Sequence, residues 1–170
     1  MGLKILGTGS ALPSNMVTNE QLTKMVDTSD EWIASRTGIR QRHISTGETT
    51  TELCVRAARR ALENAGMQAE ELELIVVATL SGDRALPNTG CEVQRELDAV
   101  HATAFEINAA CSGFLFALNT VQAYMAAGLY RKALVIGGEV LSKLVDWQDR
   151  NTCVLFGDGA GAAVVEADPA

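Results

Sequence analysis

The chain has 170 residues and a formal charge of -7 at pH 7, and its residues are 47% hydrophobic but only 5% aromatic. A chain of this length can bury a substantial core within one domain, and its low aromatic content predicts a mainly aliphatic core. The acidic balance argues against a general nucleic-acid surface or an anionic-membrane surface, because no stripe of lysine and arginine offsets it.

Cysteine usage indicates a reducing compartment. The four cysteines and two histidines show no Cys-x-x-Cys pair and no spacing typical of metal ligands, so we expect no metal and no disulfide scaffold. A signal peptide is not recognisable, and no apolar run approaches membrane-spanning length. We therefore expect a soluble, cytoplasmic protein without membrane or nucleic-acid partners.

The first predicted elements are a short strand and three capped helices. The strand covers Lys4–Gly9, and spacings typical of capping boxes begin at Thr18, Thr28 and Thr49. The helices predicted from these spacings cover residues 19–26, 29–36 and 50–65. Although the glycines of the first strand begin like a dinucleotide fingerprint, Leu12 replaces the third glycine and a proline follows, so we reject a dinucleotide site.

Strands and helices then alternate. The nearly continuous aliphatic run at residues 72–78 predicts a strand covered on both faces, and Asn88 can cap the next helix. Strands near 103–109 and 133–137 flank an apolar helix near 112–127. This alternation predicts βαβ units of an α/β protein. Because the last helix is apolar nearly all round, we expect it to be buried between layers.

The C-terminal pattern predicts an antiparallel hairpin at an edge of the sheet. Val154–Phe156 and Ala162–Val165 resemble strands, and the segment between them contains Asp158-Gly159, a common hairpin turn signal. The glycines of this segment lead into a strand rather than a helix, which argues against a phosphate-binding loop.

The segment Ala104–Phe114 places Cys111 between an apolar strand and the start of a helix. Free backbone N–H groups and the helix dipole at such a position stabilise a thiolate, and they can bind a developing oxyanion. The alternative is a buried structural cysteine, since free cysteines usually pack as small hydrophobes. The contexts of Cys54, Cys91 and Cys153 favour that structural role.

Five basic residues have ambiguous or structural interpretations. Arg36, Arg40 and Arg42 form either a solvated basic face or a phosphate site. Nothing in the spacing of His43 and His101 places either residue beside the candidate nucleophile, so both are interpreted as structural.

The residues flanking Cys111 closely resemble the β-ketoacyl-acyl carrier protein synthase III family, the initiating condensing enzymes of the thiolase superfamily. Lys4–Leu12, Val26–Ile33, Arg36–Arg40 and Phe156–Gly161 also resemble this family in order and spacing. The resemblance implies a thiolase-like fold of two similar halves, each with a mostly parallel five-stranded sheet and helices on both faces. Residues 1–170 correspond to the N-terminal half.

The family activity implied by this resemblance is a decarboxylative Claisen condensation that initiates fatty acid biosynthesis. Cys111 attacks an acyl-CoA primer, and malonyl-acyl carrier protein then reacts with the acyl-enzyme. Acyl-CoA is a substrate, and no separate cofactor is implied. The family's catalytic histidine and asparagine lie in the C-terminal half, absent from this chain, so we expect a second half as partner and a homodimer of complete units.

The resemblance also implies roles for four residues in CoA binding. Trp32 and Arg150 match positions that sandwich adenine, Arg36 matches one near the phosphates, and Thr28 lines the entrance. Indole and guanidinium groups both offer flat faces suited to stacking. Without the resemblance, Trp32 is interpreted as a core aromatic and Arg150 as a surface charge.

Leu86, Leu141 and Phe156 match positions that line the family's primer pocket, with Leu86 reaching across a dimer interface. Two alternatives remain open at this point. The chain could be a non-catalytic partner subunit of a condensing enzyme, or a specialised starter-unit acyltransferase of the same fold. For the chain by itself, we expect an exposed apolar face where the second half of the fold packs.

Overall fold

A five-stranded sheet forms the centre of the computed structural model, which describes residues 2–168. The strands are β1 (Gly2–Ala11), β2 (Met16–Thr18), β3 (Gln41–His43), β4 (Leu74–Ala78), β5 (Thr103–Ile107), β6 (Lys132–Val140) and β7 (Asp158–Asp168). The α-helices are α1 (Asn19–Leu22), α2 (Asp30–Thr37), α3 (Thr50–Ala65), α4 (Thr89–Leu97) and α5 (Gly113–Ala126). Short 3-10 helices cover Ala69–Glu71, Ala110–Ser112 and Leu141–Lys143.

The strand order of the sheet is β1-β7-β6-β4-β5, and β2 and β3 form a separate antiparallel pair. Strand β4 pairs in parallel with β5 and β6, whereas β7 is antiparallel to both β6 and β1. All strands of the large sheet except β7 therefore run in one direction. The predicted α/β class with a mostly parallel five-stranded sheet is confirmed.

Strand β4 shows why its sequence is aliphatic throughout. Leu74 and Val76 belong to a hydrophobic cluster that contains α5, whereas Ile75 and Val77 belong to a cluster that contains α3 and α4. Successive side chains of a strand point to opposite faces, so both faces of β4 are covered. The predicted helices on both faces of the sheet are confirmed.

The predicted hairpin at residues 154–165 is wrong. Val154–Phe156 is not a strand, and the antiparallel edge pair consists of β1 and β7 instead. The carboxylate of Asp158 accepts hydrogen bonds from the backbone N–H groups of Ser45 at 2.6 Å and Ser142 at 2.9 Å. These bonds hold Asp158 at the start of an extended strand, where it pairs with Val140 rather than forming a turn.

The glycines of β1 allow α3 to approach the sheet closely. A Cβ atom on Gly7 would lie 2.6 Å from the carbonyl oxygen of Ala61, and one on Gly9 would lie 2.7 Å from the Cβ of Arg60. Both distances are too short for a side chain, so packing explains this glycine pair without a nucleotide.

Local capping signals placed most helix starts correctly. The predicted capping box of Thr49 and Glu52 is present at the start of α3. Helix α2 begins one residue later than predicted, because the Ser29 hydroxyl, rather than that of Thr28, accepts a hydrogen bond from the backbone N–H of Trp32 at 3.1 Å. Helix α1 is shorter than predicted.

Helix α5 is covered on one face, so the expectation that it is buried all round is wrong. Leu115 is 63% exposed and Phe116 is 55% exposed. The face against the sheet contains the buried residues Gly113, Ala117, Val121 and Met125. The expected exposed apolar face is therefore present. None of the helices within residues 2–168 is long and apolar enough to cross a membrane.

A third hydrophobic cluster involves residues 145–156, which we call the strap. The strap contains no regular helix or strand. Its residues Cys153 and Val154 are buried together with Leu22 of α1 and Ile33 of α2. The cluster therefore packs the strap against the part of the molecule that contains α1 and α2.

Candidate active site

A pocket of about 490 Å³ lies where the parallel strands β4, β5 and β6 end. Carboxyl ends of parallel strands are the usual ligand-binding edge of such a sheet. Cys111, Leu141 and Phe156 all line this pocket, and Leu80, Leu144 and Val145 add further apolar surface. The structure thus brings the candidate nucleophile together with two of the three predicted primer-pocket residues.

Cys111 lies in the 3-10 turn Ala110–Ser112, directly before α5, and it is exposed. The close approach of α5 to the sheet fixes this position. A Cβ atom on Gly113 would lie 3.1 Å from the Cβ of Ala78, the last residue of β4. The strand–turn–helix context predicted for Cys111 is therefore present, with the thiol at the accessible end of the helix.

The backbone beside Cys111 is strained. Ala110 has a φ of 47°, in the left-handed region that residues with a Cβ atom rarely adopt. Such conformations persist where the surrounding structure holds them, and they concentrate at functional sites. The strain at Ala110 lets the chain turn sharply from β5 into α5. No local sequence signal predicts it.

The other cysteines have different environments from that of Cys111. Burial, with a smaller contribution from the charge of Asp83, raises the pKa of Cys54 to about 12. Burial also raises the pKa of Cys153, so both thiols stay protonated near neutral pH. Cys91 is partly buried, and its thiol donates to the carbonyl of Ala104 at 3.7 Å. These environments fit structural roles.

Glu139 also lines the pocket, and the sequence analysis missed it. One carboxylate oxygen accepts a hydrogen bond from the backbone N–H of Leu80 at 2.9 Å. The other accepts from the backbone N–H of Ser81 at 3.0 Å and from the hydroxyl of Thr79 at 3.1 Å. Glu139 therefore ties the loop after β4 to the end of β6. The sequence signal that could have indicated this role is a single carboxylate within a mostly apolar strand.

The predicted CoA-binding residues Trp32, Arg36 and Arg150 form one cluster. The guanidinium carbons of Arg36 and Arg150 each lie 4.5 Å from the centroid of the Trp32 ring. This distance is typical of cation–π contacts. Nη1 of Arg150 also lies 3.8 Å from the carboxylate of Asp27. The cluster places two flat cations on an aromatic ring at the surface.

The remaining predicted site residues are Thr28 and Leu86. Within residues 2–168, the hydroxyl of Thr28 is buried without a hydrogen-bond partner. Leu86 is 84% exposed and does not line the pocket. Its predicted role in the primer pocket of a dimer stays a prediction.

The three arginines near α2 do not form a single basic face or phosphate site. Arg36 lies over Trp32, and Arg40 forms an ion pair with Asp30. Arg42 is buried. Each side chain is thus directed to a different structural environment.

Neither histidine within the described residues 2–168 lines the pocket. Nδ1 of His43 lies 2.7 Å from the carbonyl oxygen of Pro13, and His101 is exposed. In the same part of the chain, no group of three histidine, cysteine or acidic side chains could hold a metal ion.

Comparison with known proteins identifies the family that the site resembles. Residues 105–170 match the family model of 3-oxoacyl-[acyl-carrier-protein (ACP)] synthase III. The β-ketoacyl-[acyl-carrier-protein] synthase III of Clostridium acetobutylicum is 55% identical over 163 residues, which make up 96% of this chain and 50% of that relative. This chain is similar to half of a β-ketoacyl-[acyl-carrier-protein] synthase III. The resemblance inferred from the residues around Cys111 is confirmed.

Solved structures extend this similarity to the fold. The crystal structure of 3-oxoacyl-[acyl-carrier-protein] synthase III from Aquifex aeolicus VF5 aligns with a TM-score of 0.97 and 51% identity, covering 99% of this chain and 55% of that chain. The priming β-ketosynthase of the R1128 polyketide biosynthetic pathway aligns with a TM-score of 0.95 and 39% identity, covering 99% and 51%. The chain spans about half the length of the curated synthase III relatives it matches.

Proposed function

We propose that residues 1–170 form the N-terminal, acyl-accepting half of a β-ketoacyl-acyl carrier protein synthase III that initiates fatty acid biosynthesis in the cytoplasm. The observation that carries this proposal is the exposed thiol of Cys111 at the start of α5, in a mainly apolar pocket. The similarity to half of a synthase III supports it.

In the first half-reaction, the Cys111 thiolate attacks the thioester carbonyl of an acyl-CoA. The carbon–sulfur bond to CoA breaks, CoA leaves as a thiol after gaining a proton, and the acyl group remains on Cys111 as a thioester. The backbone N–H of Cys111 contributes to the oxyanion hole. Leu141 and Phe156 line an apolar pocket of about 490 Å³ that accommodates the acyl group.

The Trp32 cluster binds the nucleotide end of CoA in this proposal. Adenine stacks between Trp32 and Arg150, whose guanidinium lies over the ring at 4.5 Å from its centroid and moves outward to admit the base. In this proposal Arg36 binds near the phosphates and Thr28 lines the entrance to the site. The exposure of Leu86 supports its contribution to a second copy in a homodimer of complete units.

In the second half-reaction, malonyl-acyl carrier protein loses carbon dioxide to form a carbanion. The carbanion forms a carbon–carbon bond with the acyl carbon, and the thioester to Cys111 breaks, which regenerates the thiolate. A histidine and an asparagine stabilise the enolate. Neither histidine within residues 2–168 lines the pocket, and in this proposal both groups come from the second half of the enzyme.

The experiment that tests this proposal measures CoA release from acetyl-CoA by the protein that carries this sequence, purified with any polypeptide that accompanies it. We expect a stoichiometric burst of free CoA, followed by a β-ketoacyl product when malonyl-acyl carrier protein is added. Cys111→Ala serves as the control and abolishes the burst. Absence of a burst from the wild-type protein favours the non-catalytic partner subunit.

A specialised starter-unit enzyme is a second candidate, supported by the 39% identity to the R1128 priming β-ketosynthase. The acyl-enzyme is common to both candidates, so the burst does not separate them. A panel of acyl-CoA primers and carrier proteins does. Preference for acetyl-CoA and a fatty-acid carrier protein supports initiation of fatty acid synthesis, whereas preference for a longer primer and a different carrier protein supports the specialised role.

A further inference from the structure

Arg42 is a buried cation that links segments far apart in the sequence. Arg42 is only 6% exposed, and its Nη2 donates a hydrogen bond to the carbonyl of Val154 at 3.1 Å. Nη1 donates to the carbonyl of Val17 at 3.3 Å. Within residues 2–168 Arg42 forms no ion pair, so backbone carbonyls rather than a carboxylate compensate its buried charge.

The strap contributes to both proposed parts of the acyl-CoA site. Arg150 lies over Trp32 in the nucleotide cluster, and Phe156 lines the acyl pocket. Val154, whose carbonyl accepts the hydrogen bond from Arg42, lies between them in the sequence. Val154 therefore lies on the segment that connects the nucleotide cluster with the acyl pocket.

Hydrogen bonding gives the strap few other fixed points. In the part of the chain that the structure describes, the other hydrogen bonds of the strap stay within residues 141–156. Because the strap has no regular secondary structure, a sheet or helix ladder does not hold it either. The Arg42 bond is its polar connection to β3.

We propose that Arg42 is a positioning residue for acyl-CoA, because its bond to Val154 holds Arg150 over Trp32 and the strap against the acyl pocket. This inference rests on the proposed function. Arg42 does not act on the nucleophile, since Cys111 belongs to the turn before α5 and not to the strap.

Arg42→Met is the variant that tests this role. Methionine keeps an apolar stem in the buried space, but it leaves the carbonyls of Val17 and Val154 without the hydrogen bonds from Arg42, so we expect some loss of stability. Arg40→Met is the matched control, because the exposed Arg40 pairs with Asp30 and does not contact the strap. Both variants are compared with the wild-type protein for unfolding temperature before kinetics.

The KM for acetyl-CoA and the alkylation rate of Cys111 together separate a positioning role from general damage to the fold. Arg42→Met raises the KM for acetyl-CoA about tenfold or more, because a hydrogen bond from a charged group is lost, while iodoacetamide alkylates Cys111 at a rate within about twofold of wild type. Arg40→Met changes neither the KM nor the alkylation rate substantially. A KM unchanged in Arg42→Met, or an alkylation rate that falls in parallel with acylation, overturns the proposal.

A double-mutant cycle tests whether Arg42 acts through Arg150. If it does, Arg42→Met raises the KM for acetyl-CoA less in an Arg150→Ala background than in the wild-type background. Equal effects in both backgrounds overturn the coupling.

A ligand-free measurement keeps the inference separate from the proposed function. In a Trp147→Phe background, acrylamide quenches Trp32 more strongly after Arg42→Met, approaching the quenching seen with Arg150→Ala. Unchanged quenching contradicts the positioning role. If the wild-type protein is not acylated by acetyl-CoA, the proposed function fails, and the quenching result still decides whether Arg42 holds Arg150 over Trp32.

Discussion

Replacement of Trp32 by leucine is the sharpest test of the proposed nucleotide site. The substitution removes the aromatic ring over which the guanidinium carbons of Arg36 and Arg150 lie at 4.5 Å. Leucine keeps an apolar side chain in the third cluster, where Trp32 packs with Ile33 and Val154. The change is therefore directed at stacking rather than at the fold.

The expected magnitude follows from the contacts that the ring makes. A base stacked on an aromatic side chain contributes about 1–3 kcal/mol, which corresponds to a roughly 5- to 150-fold rise in the KM for acetyl-CoA when the ring is lost. The cation–π contact that adenine must displace contributes about 0.5–1 kcal/mol at an exposed site and is subtracted from this stacking energy, so the net rise in KM lies in the lower part of that range. The ion pair of Arg150 with Asp27 adds little, since Asp27 is fully exposed.

The assay compares acetyl-CoA with acetyl-N-acetylcysteamine, a thioester that lacks adenine. Trp32→Leu raises the KM for acetyl-CoA but leaves that for the truncated thioester nearly unchanged. Trp147→Leu is compared in parallel, because it removes an indole from the same cluster without removing a cation–π contact and so shows the effect of disturbing the strap alone. Equal losses with both thioesters, or no loss with acetyl-CoA, would refute a stacking role for Trp32.

Three further predictions concern stability. Gly7→Ala lowers the free energy of unfolding by about 2–3 kcal/mol in urea titration, because its Cβ would lie 2.6 Å from the Ala61 carbonyl; a change within error contradicts the close helix packing. Burial raises the pKa of Cys54 to about 12 in the folded state, against 9.0 for an unburied thiol. The resulting stabilisation of the folded state is fully present below pH 9 and is lost as the pH rises towards 12. Between pH 9 and 10 the free energy of unfolding therefore falls by about 1 kcal/mol more in the wild-type protein than in Cys54→Ala, and equal slopes contradict this. Glu139→Gln replaces an acceptor of the Leu80 N–H with an amide and lowers the free energy of unfolding by about 1–3 kcal/mol; an unchanged urea midpoint contradicts the tethering role.

Features determined by neighbouring residues were predictable from the sequence. The aliphatic run of β4 indicated a strand covered on both faces, and the capping box at Thr49 placed the start of α3. The motif around Cys111 indicated a strand–turn–helix nucleophile position and the family. These signals depend on periodicity and short spacing, which a single sequence displays directly.

Features determined by distant residues were not predictable. The local Asp158-Gly159 pair indicated a turn, whereas Asp158 is held in a strand by a hydrogen bond from the Ser45 N–H. That bond joins residues 113 positions apart, so no local pattern reveals it. Arg42 was interpreted as part of a basic face or phosphate site, although its partner Val154 is 112 residues away. The exposed face of α5 also depends on which layers pack against it, and a periodic pattern does not show this.

The measurement that tests the central claim most directly is peptide mapping of the protein after brief incubation with acetyl-CoA and denaturation in acid. We predict one added acetyl group, located on Cys111 and absent from Cys111→Ala. An acetyl group on Cys91 instead, or no added mass while acetyl-CoA remains intact, would contradict the claim that Cys111 is the acyl-accepting nucleophile.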